Sequence, residues 1–198
     1  GLSIINPNMV ESVGFSTGGF EAKYGDKMSS ALDIKYKRPK QTEGSISASM
    51  LGASGYFGLA TKKLTWTNGL RYKTNRYLLG SLETKGEYNP NYLDYQTYLS
   101  WKPNNKWQVD FIGNISENHY NFEPEDRETN FGTMENVKSF RVYFDGQEKD
   151  LFRTFFGSLG ITRYLKNNKT SISLLASAFS TKEQEKYDIQ GQYWLTQT

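Results

Sequence analysis

Side chains able to do covalent chemistry are few, and their spacing argues against catalysis. His119 is the single histidine, so any histidine-based triad would have to use it. Its setting, Glu117-Asn-His-Tyr-Asn-Phe122, supplies no nucleophile at a recognised spacing, and it reads as a loop residue. Cysteine is absent, which removes thiolate zinc sites, catalytic thiols and disulfides together. No GxGxxG or GxxxxGK[ST] pattern occurs, so the Gly18-Gly19 pair has no phosphate-loop context. The run Glu123-Pro-Glu-Asp-Arg-Glu128 offers oxygen ligands of the kind calcium takes, but it lacks an EF-hand pattern and reads as a solvated loop. The acids cluster in loops without a feature that supports glycoside hydrolysis. Asn114-Ile-Ser116 and Asn168-Lys-Thr170 match the glycosylation acceptor pattern. The expectation is a protein that is not an enzyme and carries no cofactor or metal.

If the chain performs no covalent step, its elements must position residues for binding or passage. The chain has 198 residues, a length that suits one domain. Its mean hydropathy is negative, and no run of about 18 apolar residues exists, so a transmembrane helix is excluded. A transmembrane barrel is not, because lipid-facing and lumen-facing residues alternate there and the apolar signal is halved. Fourteen Tyr, eighteen Gly and an aromatic content of 15% suit a strand-rich chain. The net charge of +3 is small against 24 basic and 21 acidic residues, which are scattered. Nucleic acid is therefore not an expected partner.

After Lys40 the sequence breaks into segments with period-2 patterning. Strands are predicted near 43–51, 54–61, 64–73, 91–102, 106–117, 151–165, 170–183 and 188–198. The turns Lys102-Pro-Asn-Asn-Lys106 and Lys166-Asn-Asn-Lys169 are tight and polar, as hairpins need. Connections 74–90 and 118–150 are long, and the segment 137–145 reads as a hairpin arm within the second. If 43–51 rises, both long connections fall at one end and both tight turns at the other, the division an outer-membrane barrel makes between its faces.

Faces follow from parity. Trp107, Val109, Phe111, Gly113 and Ile115 oppose Gln108, Asp110, Asn114 and Ser116, with Ile112 as the apolar exception. Leu93, Tyr95, Leu99 and Trp101 oppose Asp94, Gln96, Tyr98 and Ser100. Leu64, Trp66, Leu70 and Tyr72 oppose Thr65, Thr67 and Arg71, and Ile172, Leu174, Ala176 and Ala178 oppose Ser171, Ser173 and Ser177. In 151–165, Arg153 and Arg163 share the parity of Leu151, Phe155, Leu159 and Ile161, which suggests a bulge. Trp101, Trp107 and Tyr164 stand at strand ends beside tight turns, where an interfacial aromatic girdle would place them. The alternative for the same rhythm is a soluble all-β binding module, such as a lipocalin-like barrel or surface adhesin, which would bury these rings inside.

The segment Asn6 to Lys40 carries the most specific pattern: Val10, Glu11 and Val13 in a short strand, Gly18 and Gly19 in a turn, Ala22, then Tyr24-Gly25, then Ala31 to Tyr36 and the basic run Lys37 to Lys40. Gly18, Gly19 and Gly25-Asp26 supply positions tolerant of positive φ between two short strands. This pattern resembles the end of the plug domain of TonB-dependent outer-membrane receptors, where the chain passes from plug to barrel. Ser29, Ser30 and Ala31 stand where that family normally has a Gly pair. The resemblance implies an all-β fold: residues 1–40 form the C-terminal end of a plug domain, and 41–198 form the N-terminal strands of an outer-membrane β-barrel, an antiparallel up-and-down meander. It implies a Gram-negative outer-membrane location, under which the glycosylation patterns are chance matches. It also implies a nutrient ligand captured at the outer loops, contact with outer-membrane lipid, and energising by the TonB complex through a region before Gly1. Family members are several times longer, so the chain is expected to be an internal piece. The segments near 43–51 and 188–198 would then pair with missing residues of a roughly 22-stranded wall.

Overall fold

The computed structural model describes residues 5–18, 25, 29–74, 86–133, 136–165 and 170–197. Alternation becomes sheet wherever it was expected. Among the described residues eleven strands form: β1 (Val10–Ser16), β2 (Ala31–Tyr36), β3 (Glu43–Ser49), β4 (Gly52–Ala60), β5 (Leu64–Thr74), β6 (Gly86–Tyr88), β7 (Asn91–Asn104), β8 (Trp107–Pro124), β9 (Arg127–Thr133), β10 (Asn136–Tyr164) and β11 (Ser171–Gln197). One 3-10 turn, Pro7–Met9, precedes β1. Two sheets result. β1 and β2 pair with each other alone, and the other nine strands form one antiparallel sheet ordered β11-β10-β8-β7-β5-β4-β3, with β6 on β8 and β9 on β10. This larger sheet curls into a half-barrel.

Polar side chains build the tight turns. Asn104 Oδ1 accepts from the amides of Lys106 (2.9 Å) and Trp107 (3.1 Å), closing the β7–β8 hairpin. Thr61 Oγ1 does the same for Leu64 (3.0 Å) between β4 and β5. At the opposite end the β3–β4 turn, Met50–Leu51, is also tight, so loop length is less segregated than the sequence suggested.

Four expectations need correction. The two strands predicted at 170–183 and 188–198 are one, β11, in unbroken register with β10 from Lys138–Gln197 to Tyr164–Ser171. The long connection 118–150 is mostly sheet: β8 runs on to Pro124, and β9 pairs with the start of β10 to make the expected hairpin arm. His119 accordingly lies in a strand rather than a loop. The bulge expected in 151–165 is absent, since β10 and β8 pair continuously from Glu148–Phe122 to Arg163–Trp107. Arg153 and Arg163 fit the apolar face because each has a partner there. Arg153 Nε donates to Glu117 Oε2 at 2.6 Å, and the Arg163 guanidinium lies 5.3 Å from the centre of the Trp107 ring.

Burial is reversed relative to a water-soluble domain. Among the described residues the buried apolar side chains are few, Met9, Ala31, Pro39, Tyr56 and Tyr92, whereas Thr67, Arg71, Asp94, Gln96, Ser100, Gln108 and Asn114 are buried on the polar face. Asp94 is 0% exposed and Asn114 1%, while Leu70 is 52% and Ile115 49% on the other face. Beyond Arg153 the faces exchange character. In the arm Phe140 pairs with Leu195 and Val142 with Tyr193 on the side continuous with the polar face of the wall.

Candidate functional site

The site is the concave polar face of the large sheet together with the segment that lies on it. Asn6 starts the contact. Its side-chain oxygen caps the 3-10 turn by accepting from the Asn8 amide (3.1 Å), and Pro7 pre-sets the turn's first dihedral. Its own amide donates to Gln96 Oε1 on β7 (3.0 Å), and Asn8 Nδ2 donates to Ser54 Oγ on β4 (3.0 Å). Met9, fully buried, sits over Gly69 of β5, where an added Cβ would meet its sulfur at 2.8 Å. Glycine is needed there for close approach.

β2 and the basic run after it carry the contact across the wall. Gln96 Nε2 donates to the Tyr36 hydroxyl (3.1 Å), and the Tyr36 ring lies 5.5 Å from that of Tyr98. Burial pushes the Tyr36 phenol above its ordinary value, with the bond from Gln96 opposing. Lys37 stands over the Tyr56 ring at 5.0 Å. Arg38 Nη2 donates to the Tyr98 hydroxyl (2.7 Å) and reaches Asp110 (3.3 Å), while Tyr98 donates onward to Asp110 Oδ1 (3.0 Å). Gln108 Nε2 donates to Asp110 Oδ2 (2.6 Å), and the Tyr164 hydroxyl donates to Gln108 Oε1 (3.0 Å). A hydrogen-bonded row thus runs from the linker over β7, β8 and β10.

Under the N-terminal turn, Arg71 of β5 grips Asp94 of β7 through Nε and Nη2, both at 2.9 Å, and Nη2 reaches the Tyr92 hydroxyl at 3.4 Å. A cleft of about 390 Å³ opens beside this pair, lined by Asn6, Asn8, Ser54, Arg71 and Lys73. Among the described residues no group of three or more His, Asp or Glu side chains is placed to hold a metal ion. The acids of 123–128 serve the arm instead: Asp126 Oδ1 accepts from the Phe144 amide (2.8 Å), and Glu128 pairs with Arg141 (2.9 Å) and accepts from Ser139 (2.8 Å). The hydrogen bonds from Arg141 and Ser139 hold the Glu128 carboxyl below the usual range. His119 contacts Glu117 on the convex face, next to Arg153.

Of the residues singled out in the sequence, Gly18 follows β1 with φ of 105° and Gly25 lies in a turn. Gly19, Ala22 and Tyr24 fall outside the described residues. Trp101 and Trp107 flank the β7–β8 turn, exposed on the convex face. Tyr164 stands on the other face, paired with Ser171 and bonded to Gln108. Parity had already put Arg71, Asp94, Gln96, Tyr98 and Asp110 together on the polar face. Asn6, Met9 and Gly69 were missed as contact residues, because nothing local in Asn6-Pro-Asn-Met9 says which strand it meets.

Comparison with protein-family models, with curated proteins and with solved structures finds no match to this chain.

Proposed function

We propose that this chain is part of a TonB-dependent outer-membrane receptor: the end of the plug, residues 1–40, followed by the first strands of the barrel wall. The observation that carries this reading is the reversed polarity of the large sheet. Its convex side is apolar and exposed, and its polar side holds the buried residues and is contacted by the Asn6–Met9 turn and the Tyr36–Arg38 stretch that flank a separate two-stranded sheet. An apolar convex face suits lipid, and a polar concave face suits a lumen. The contacts between them support a plug that can be moved, because hydrogen bonds such as Asn6–Gln96 and Arg38–Tyr98 can exchange for bonds to water. In this reading the outer loops and the arm capture a scarce nutrient, and the lumen passes it when the TonB complex pulls the plug. No covalent chemistry is involved.

The test is behaviour in lipid. The chain should stay aggregated or bound to detergent in aqueous buffer, and should insert into vesicles with its tryptophan emission shifted to the blue. A monodisperse monomer without detergent, with tryptophans already shielded, would overturn the proposal in favour of the soluble binding module.

A further inference from the structure

Three strand-to-strand connections meet the end of the wall opposite the arm: residues 61–63 between β4 and β5, 105–106 between β7 and β8, and the one between β10 and β11 at whose ends the Leu165 amide donates to the Thr170 carbonyl (2.9 Å). Backbone hydrogen bonds knit this end together, from the Lys102 amide to the Lys63 carbonyl (2.7 Å) and from the Tyr164 amide to the Lys106 carbonyl (2.8 Å). Lys62, Lys63, Lys102, Lys106 and Arg163 are all exposed here. Among the described residues none of the five has an ion-pair partner. No Asp or Glu occurs in 61–64, 102–107 or 163–165. Acids near this end along the strands, Asp110 and Glu43, belong to the concave side and are engaged by Arg38, Tyr98 and Gln108 and by Tyr56 respectively.

Like charges gathered in this way repel, so the end is stabilised by whatever anion covers it. The convex surface says what that is. Trp101 and Trp107 are exposed immediately beside the cations, and Arg163 lies over the Trp107 ring. Indole rings at the margin of an apolar band with ammonium groups one residue beyond match the sequence of media at a bilayer surface: chains, carbonyls, phosphates. Long lysine stems let the charge reach outward while the methylenes stay in the apolar layer.

We infer that the turn end is a docking rim for the anionic headgroups of the phospholipid leaflet it meets. The rim rests on the membrane-wall reading above. It anchors the wall at a fixed depth, with the tryptophans at the carbonyl level and the lysines on the phosphates. A free phosphate ion would meet the cations alone and make no use of the tryptophans.

The test is partition of the purified chain from detergent into vesicles of phosphatidylcholine, with or without about 30% phosphatidylglycerol. Association with the anionic vesicles should be stronger at low salt, on the order of a thousandfold if four to five cations reach the phosphates, and should fall to near parity at high salt. The quadruple variant Lys62→Gln, Lys63→Gln, Lys102→Gln, Lys106→Gln should lose that preference yet still enter phosphatidylcholine. A second variant of equal net charge, Lys138→Gln, Lys149→Gln, Lys182→Gln, Lys186→Gln, alters the arm end and should keep it. Equal loss in both variants would reduce the effect to net charge and overturn the rim. Loss of the preference on adding inorganic phosphate at matched ionic strength would assign the site to the free ion. Wild-type insertion without lipid preference sinks the rim alone, whereas failure to enter either vesicle sinks the membrane reading and the rim with it.

Discussion

At the residue scale the molecule depends on one close approach and one buried charge pair. Gly69 leaves room for Asn6 and Met9, and a branched side chain there would have to expel both. Gly69→Val is expected to release the N-terminal turn while leaving the wall intact. Limited proteolysis should then cut near Asn8 at a rate the parent does not show, and an unchanged digestion pattern would refute the contact. Arg71 and Asp94 are 4% and 0% exposed, so neither has solvent to fall back on. Removing one partner of such a pair costs about 3–5 kcal/mol, whereas replacing both by apolar groups can be nearly neutral. Arg71→Met should therefore lower the denaturant midpoint in detergent sharply, and the double variant Arg71→Met, Asp94→Leu should recover most of the loss. Additive losses would mean that the two residues do not act as a pair.

At the element scale the arm formed by β9, β10 and β11 makes separate predictions. Gly146 sits inside β10 with φ of 95°, and a Cβ there would collide with the Asp188 carbonyl oxygen across the ladder. Gly146→Ala should open the β10–β11 pairing locally, seen as faster amide exchange between Asp145 and Gln190 with protection near Leu159 retained. The Glu128–Arg141 pair gives the arm a pH dependence. Because the Glu128 pKa is depressed in the folded arm, its contribution is fully present above the unfolded carboxylate value, about 4.3, and disappears as pH falls through the lower folded value. Exchange of β9 amides, corrected for intrinsic rate, should quicken in acid, modestly for an exposed pair, and Glu128→Gln should show no such change from this pair. The same region marks the limit of what the sequence discloses. The strands from β3 to β7 were legible where each alternates on its own, the short β6 inside the expected connection 74–90 excepted, and the polar half of the candidate site followed from parity. Residues Lys182 to Asp188 alternate nothing apolar, so β11 looked like two strands, although its backbone ladder to β10 never breaks. Arg153 looked like an irregularity because its partner, Glu117, lies 36 residues earlier and becomes a neighbour only through pairing.

At the scale of the whole molecule, the convex face carries a charge-free band whose height can be measured on β10. Arg153 and Arg163 bound it, both on the convex side. Their separation is roughly 33 Å along the strand at about 3.3 Å per residue, or roughly 25 Å along the normal for a strand tilted by about 40°, the height of the apolar band of an outer-membrane barrel. A cluster of polar side chains inside this band pairs with itself. Tyr95 donates to Asn68 Oδ1 (2.6 Å), Trp66 Nε1 to Thr97 Oγ1 (2.8 Å), and Thr97 Oγ1 to Asn68 Oδ1 (3.0 Å). In hydrocarbon such pairing is required, since a donor left open there has no water to turn to. The four tryptophans sample the band at different heights. Trp66 shares a row with Leu99, Phe111 and Leu159 within it, Trp101 pairs with Leu64 and Val109 nearer the turns, Trp107 stands level with Arg163 at the margin, and Trp194 pairs with Arg141 in the arm. Single-tryptophan variants in vesicles with brominated acyl chains should therefore be quenched in the order Trp66, Trp101, Trp107, with Trp194 unaffected and open to aqueous iodide. The ranking is sharp because a slip of one residue in register would turn all three wall tryptophans to the lumen side. Equal quenching of Trp194 and Trp66 by the lipid would show that the chain lies along the bilayer rather than across it, and the wall would then have to be abandoned as a description of this sheet.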